Sequence, residues 1–472
     1  MYNSIDEVNK AICSGTSCVE ILNYFLKKIK KQTELNVFLE VFEESALAQA
    51  KKVDEKIKNK SQGKLAGVVI AIKDNLCYKG HKVSAASKIL NGFESIYTAT
   101  AVQRLIEEDA IIVGRVNCDE FAMGGSNENS SFGPVLNSEN TEYVPGGSSG
   151  GSAVAVKAGL CTVSLGSDTG GSIRQPASFT GTVGFKPSYG AISRYGLIAY
   201  ASSFDQIGVF SNFVCDAATI YNVMNGPDKY DSTAIQSCNK IPLAELKKET
   251  KYKIGVVSDY LHAEGLDEEV KESIQKALEV LEKNGNTIIE VSFPFLDVMV
   301  PTYYVLTTAE ASSNLSRFDG VHYGHRSNSA EGVEQTYIKS RSEGFGKEVK
   351  RRIMAGTFVL SQGYYDAYFT QAQKVRRLIS NKTQEIFSNC DVIISPTTSS
   401  TAFKLNAVTD PVEMYLQDKF TVHANLSGNP AISIPLGVHS NGMPFGIQIM
   451  ANVSDEKMLF KMASNIENLL NK

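Results

Sequence analysis

Short apolar runs recur along this chain, and each is cut off abruptly by polar residues. LAGVVIAI ends in Lys73-Asp74-Asn75, AIIVGRV runs into Asn117, CTVSLGS ends at Asp168, and YKIGVVS, DVIISPT and AISIPLGV follow. Runs of this length, rich in β-branched residues and without polar alternation, describe strands covered on both faces. Segments of helical texture lie between them, among them TAVQRLIEED, SAVAVKAG and DEEVKESIQKALEVLEKNG. The alternation predicts an α/β protein in three α/β/α layers, with helices on both sides of one large sheet. YKIGVVS, the DEEVKESIQKALEVLEKNG helix and NTIIEVSF form a β-α-β unit, with Gly285 in the helix C-cap region. AISIPLGV and FGIQIMA, joined through an Asn-Gly turn, read as an antiparallel pair. The sheet is therefore expected to be mixed, and mostly parallel.

Two flanking regions differ in texture. Residues 1–60 read mostly as helix, packed on a main domain of residues 61–472. Ser4–Glu7 and Ser17–Glu20 both carry the Ser-x-x-Glu pattern of a capping box. Residues from about 300 to 380 are rich in Tyr, Arg and Ser and read as a helical insertion or lid.

At 472 residues, 43% hydrophobic and 21% charged, the chain has material for a large core. A formal charge of -4 argues against gripping nucleic acid unaided. The N-terminal MYNSIDEVNKAICSG shows no signal-peptide pattern, and no apolar run is long enough to span a bilayer, so a cytoplasmic protein with no membrane contact is expected. The eight cysteines (13, 18, 77, 118, 161, 215, 238 and 390) form no CxxC pair and no metal-ligand cluster, and are read as reduced thiols.

Chemistry is concentrated in two Gly-Ser clusters, PGGSSGGS and GSDTGGS. Flexible linkers are often built from such residues, but these clusters sit between strong core elements. Neither carries the Lys of a phosphate-binding loop or the G-x-G-x-x-G of a dinucleotide site. GGSSG and GSSGG match the nucleophile-elbow pattern at Ser148 and Ser149, yet a polar loop, NSENTEYVP, precedes them where an elbow needs a strand. The second cluster follows a strand and opens a helix, a place where α/β sheets bind ligands. Ser172 is the candidate nucleophile there, with the backbone amides of Thr169, Gly170 and Gly171 as a nest for a developing oxyanion. Lys73, at the end of a buried strand, is a candidate base of lowered pKa, or else a lysine snorkelling from a strand end.

The segments AIKDN, GGSSGGSAVAVKAG and SLGSDTGGSIRQPASFTGTVGFKPSYGAIS together resemble the amidase signature family. That resemblance implies a Ser-Ser-Lys triad on an α/β/α core with a mixed sheet. Ser172 would form the acyl ester, Ser148 would relay the proton from a cis peptide after Gly147, Lys73 would be the terminal base, and Thr169, Gly170 and Gly171 would form the oxyanion hole. SRYGLIAYASSFDQIG, EASSNLSRFDGVHYG, GFGKEVKRRIMAGTFVLSQGYYDAYF and VIISPTTSSTAF extend the resemblance to one branch, the amidase subunits of tRNA-dependent amidotransferases. The branch implies a heterotrimer in which this chain hydrolyses glutamine and binds no cofactor. A B subunit, with ATP and Mg, would use the ammonia to convert misacylated Glu-tRNA(Gln), and a small C subunit would hold the two together. It also implies a pocket in which Arg352 pairs the glutamine carboxylate and Asp418 receives its ammonium. Tyr303, rather than Tyr304, would line that pocket, walled by Gly124 and Ser126. Arg352 also reads as part of a solvated helix face in KEVKRR. VSAASKIL departs from relatives that carry paired threonines there. A stand-alone amidase acting on a small amide is the alternative.

Overall fold

The computed structural model describes residues 2–236, 240–246, 248 and 250–470. Its strands are β1 (Phe38–Val41), β2 (Val69–Lys73), β3 (Ile111–Val116), β4 (Val163–Asp168), β5 (Val183–Lys186), β6 (Gln206–Ser211), β7 (Lys253–Val257), β8 (Thr287–Val291), β9 (Val392–Pro396), β10 (Ala431–Val438) and β11 (Pro444–Ala451). They form one sheet in the order β1-β3-β2-β4-β6-β5-β10-β11-β9-β7-β8. Every residue of β2, β3 and β4 is buried, as their unbroken apolar runs require.

Adjacent strand residues serve opposite faces. Ile394 and Ile432 join one apolar cluster, which also holds Phe25, Val69 and Phe460, while Ile393 and Ala431 join a second with Tyr303, Leu306 and Phe420. Helices therefore cover both faces, and the N-terminal helices share the first cluster with the sheet. Burying each such Val, Leu, Ile or Phe contributes about 1.5–3 kcal/mol, so the sheet is a stiff platform for what its strand ends carry.

The sheet is mixed, but the expectation that it is mostly parallel is corrected. β2 runs parallel to β3 and β4, and β7 to β8 and β9. The other six pairings are antiparallel. Parallel neighbours need crossover connections, and the flanks supply them with helices such as Thr100–Glu107 and Glu268–Lys283. The centre is made of strands that turn back, as β10 does into β11 through the short turn closed by His439 N on Met443 O. The N-terminal region is also more than helix, since β1 adds an edge strand antiparallel to β3.

At Ser17–Glu20 the capping box is complete in both directions. At Ser4 only half forms: the Glu7 amide donates to Ser4 Oγ, but the Glu7 carboxylate accepts from Asn3 N instead. Between β8 and β9 the chain is helical, with Leu296–Asn314, Gly332–Gly344, Lys347–Val359 and Gln371–Phe387 packed over one end of the sheet. Seven cysteines are free thiols, and Cys238 lies outside the described residues. Among the described residues, no helix is long and apolar enough to cross a membrane.

Candidate active site

β2 delivers Lys73 into a fully buried position at its C-terminal end. Nζ donates to Ser148 Oγ at 2.7 Å, Ser149 Oγ at 2.8 Å and Ser167 Oγ at 3.0 Å. Burial pushes the ammonium down to about 8, against the opposing negative field of Asp119, Asp168 and Asp205. Among the described residues no carboxylate forms an ion pair with Lys73. Hydroxyls alone surround the amine, which makes its neutral form accessible near neutral pH.

Ser148 follows a cis Gly147–Ser148 peptide. The residues ahead of it form a loop, not a strand, and the helix Gly150–Lys157 begins directly after Ser149. Ser149 Oγ donates to Ser167 O at 3.0 Å, so its proton is committed and it can only accept from Lys73. Asn75 Nδ2 donates to Ser167 Oγ at 2.9 Å.

The two Gly-Ser clusters meet where Ser149 N donates to Ser172 O at 3.2 Å. Lys73 and Ser148 are 0% exposed, whereas Ser172 is 8% exposed. The difference gives the cluster a direction: the amine lies at the closed end and Ser172 at the open one. No hydrogen bond joins the Ser148 and Ser172 hydroxyls in this state, among the described residues.

The expected oxyanion nest needs one correction. Gly171 N is engaged, donating to Asp168 Oδ1 at 3.0 Å, and Ile173 N donates to Asp168 Oδ2 at 3.1 Å. Asp168 is fixed in turn by Arg174 (Nη2–Oδ1 3.0 Å, both side chains 0% exposed) and by Asn425. Burial alone would raise the Asp168 pKa, but Arg174 outweighs it and holds the carboxyl at about 2. A permanently charged acceptor therefore captures the Gly171 amide. The amides of Thr169, Gly170 and Ser172 find no acceptor among the described residues and are the open donors of the turn. Both glycines are demanded by close neighbours. A Cβ on Gly170 would lie 2.5 Å from Tyr303 Oη, and one on Gly171, where φ is +143°, would strike Thr421.

A cavity of about 300 Å³ adjoins this cluster, lined in part by Gly124, Ser126, Glu348, Arg351, Arg352 and Tyr415. Ser126 ties it to the relay loop, since a Cβ on Gly147 would lie 2.7 Å from Ser126 N. Arg352 is no solvated helix residue. It is 4% exposed, Nε donates to Glu348 Oε1 at 2.8 Å and Nη1 to Tyr200 Oη at 2.8 Å. The guanidinium also lies over the rings of Tyr304 and Tyr415, at 5.1 and 5.4 Å. Asp418 and Tyr303 do not line this cavity. Asp418 accepts from Tyr304 Oη at 2.8 Å, and burial raises its carboxyl to about 7. The two tyrosines divide the work that the sequence assigned to one: Tyr303 abuts Gly170, and Tyr304 bridges Arg352 and Asp418. The divergent VSAASKIL stretch supports the site from behind. Ser84 and Ala86 donate to the Asp74 carboxylate beside Lys73.

Sequence reasoning passed over Ser149, Ser167, Asn75, Asp168, Arg174 and Glu348. Glu348 was within reach, because it lies four residues before Arg352 on a helix, a spacing that places side chains together. No local pattern announces that Asp168 turns its carboxylate onto Gly171.

A family model described as Amidase matches residues 20–460. The amidase-type (A) chain of the glutamyl-tRNA(Gln) amidotransferase of Koribacter versatilis is 50% identical over 455 residues, covering 95% of this chain and 94% of that one. Its counterpart from Macrococcus caseolyticus is 48% identical over 474 residues, covering 100% and 98%. The crystal structure of the corresponding glutamyl-tRNA(Gln) amidotransferase chain from Thermotoga maritima superposes with a TM-score of 0.79 at 38% identity, covering 98% and 93%.

Proposed function

This chain belongs to the amidase family, and on that premise we infer that it is the glutamine-hydrolysing subunit of a glutamyl-tRNA(Gln) amidotransferase. The observation that carries the chemistry is the buried Lys73 amine, 2.7 Å from Ser148 Oγ and surrounded by hydroxyls. An amine so placed serves as a base rather than as half of an ion pair.

In the proposed cycle, Ser172 Oγ attacks the side-chain amide carbon of glutamine. Its proton passes to Ser148 Oγ as the Ser148 proton passes to neutral Lys73 Nζ. The open amides of the 169–172 turn hold the tetrahedral oxyanion. As the carbon–nitrogen bond breaks, the proton returns along the same path to the leaving nitrogen, which departs as ammonia. Water then attacks the glutamyl ester on Ser172, again giving its proton toward Lys73, and glutamate leaves. The sum is glutamine plus water to glutamate plus ammonia.

Arg352 pairs the substrate carboxylate and Asp418 takes its ammonium, with Tyr303 and Tyr304 between them and Gly124 and Ser126 as the outer wall. These charges suit an amino acid and serve no purpose for a plain small amide, which favours the glutaminase over a stand-alone amidase. ATP, Mg and the misacylated Glu-tRNA(Gln) belong to a partner B subunit, with a C subunit completing a cytoplasmic heterotrimer. The test is Ser172→Ala in the assembled complex. Glutamine-dependent transamidation is lost while ammonia-dependent transamidation persists; if glutamine still serves as donor, Ser172 is not the nucleophile.

A further inference from the structure

Two adjacent buried acids, Asp119 and Glu120, reach in different directions from one short segment after β3. Asp119 belongs to the relay side. Its amide donates to Ser148 O at 3.0 Å, and its carboxylate accepts from Asn127 N at 2.9 Å and Asn129 N at 3.0 Å. A Cβ on Gly124 or on Gly147 would strike that carboxyl, so the relay loop and the cavity wall both close directly onto it.

Glu120 belongs to the other side. Its Oε2 accepts from Gly346 N at 2.9 Å and its Oε1 from the same amide at 3.1 Å, while Ser87 Oγ donates to Oε1. Gly346 is the N-cap of the helix Lys347–Val359 and has no side chain to satisfy the first turn. Glu120 supplies the missing cap from a distant segment, and its charge suits the positive end of the helix. That helix carries Glu348 and Arg352.

We propose that Asp119–Glu120 is a positioning element that fixes the spacing between the Ser148 loop and the helix bearing Arg352, and so sets how the glutamine amide lies against Ser172. The inference rests on reading Arg352 as the partner of the substrate carboxylate. Neighbouring residues of one chain hold a nearly fixed separation, so a carboxylate on each makes a rigid link between two otherwise separate parts of the site. Displacement of a bound substrate by about 1 Å is enough to cost up to about a hundredfold in turnover.

The test compares glutamine with 4-aminobutanamide, which keeps the amide and amine but lacks the α-carboxylate. Glu120→Gln places an amide NH2 against the Gly346 N–H, or leaves the Ser87 hydroxyl facing a donor, and moves the helix start. The expected result is a rise of about tenfold in KM for glutamine, with kcat/KM for 4-aminobutanamide within about twofold of the parent. Ser87→Ala, which frees the Glu120 carboxylate from one partner, gives a smaller shift in the same direction and serves if Glu120→Gln does not fold. An equal fall on both substrates, or no change on either, overturns the proposal. Arg352→Ala separates the two readings: if it leaves the preference for glutamine over 4-aminobutanamide intact, the assignment of Arg352 fails, whatever Glu120→Gln does.

Discussion

Lys73 is the residue on which the proposed chemistry turns. Its amine must be neutral to accept a proton, and burial brings its pKa down to about 8. The direction of the pH dependence follows. Below that value the neutral fraction falls tenfold for each unit of pH, so kcat/KM for glutamine climbs with unit slope and levels off near pH 8. A profile that is flat from about pH 6 to 9 would remove Lys73 as the base. Lys73→Met leaves Ser148, Ser149 and Ser167 without their shared donor, and Ser148→Ala cuts the path from base to nucleophile. Each is expected to lower glutaminase kcat by about a thousandfold or more, and the double variant to fall little further, because the residues act as one unit. Additive losses would mean that the amine and the hydroxyl act separately.

At the scale of elements, the turn after β4 is held by a buried ion pair rather than by apolar packing. Arg174 donates to Asp168, Asn425 Oδ1, Gln448 Oε1 and Thr421 O, all within a shell closed to water. Arg174→Met abandons a buried carboxylate and is expected to cost about 3–5 kcal/mol in urea unfolding; a loss under about 1 kcal/mol would show that the pair does not hold the turn. The strands that carry the site were legible in the sequence because those buried on both faces have continuous apolar runs, and Lys73 and Asp168 interrupt two of them. Strand direction was less legible. Only connection lengths and crossover helices hint at it, and the centre of the sheet proved antiparallel. β1 was lost because its side chains are all only partly buried, so its pattern is weak. The commitment of the Gly171 amide to Asp168 was invisible, because it depends on where a charged side chain points after Arg174 has arrived from the next helix.

Over the whole molecule, the relay and the substrate grip come from different parts of the chain. Lys73, Ser148 and Ser172 sit at strand ends and their loops, while Arg352 and Tyr304 come from helices between β8 and β9. Such a construction can be tuned by whatever presses on those helices. Addition of partner subunits is therefore expected to raise glutaminase kcat/KM several-fold mainly through KM, as seen by glutamine titration of the isolated chain against the complex; an unchanged KM would place partner control elsewhere. The central claim is that Ser172 carries the glutamyl group. Rapid acid quench of the complex during glutamine turnover, followed by peptide mass mapping, tests it most directly. The account predicts a glutamyl ester on the peptide containing Ser172 and none on that containing Ser148 and Ser149; an ester on the Ser148–Ser149 peptide, or turnover with no ester at all, would contradict it.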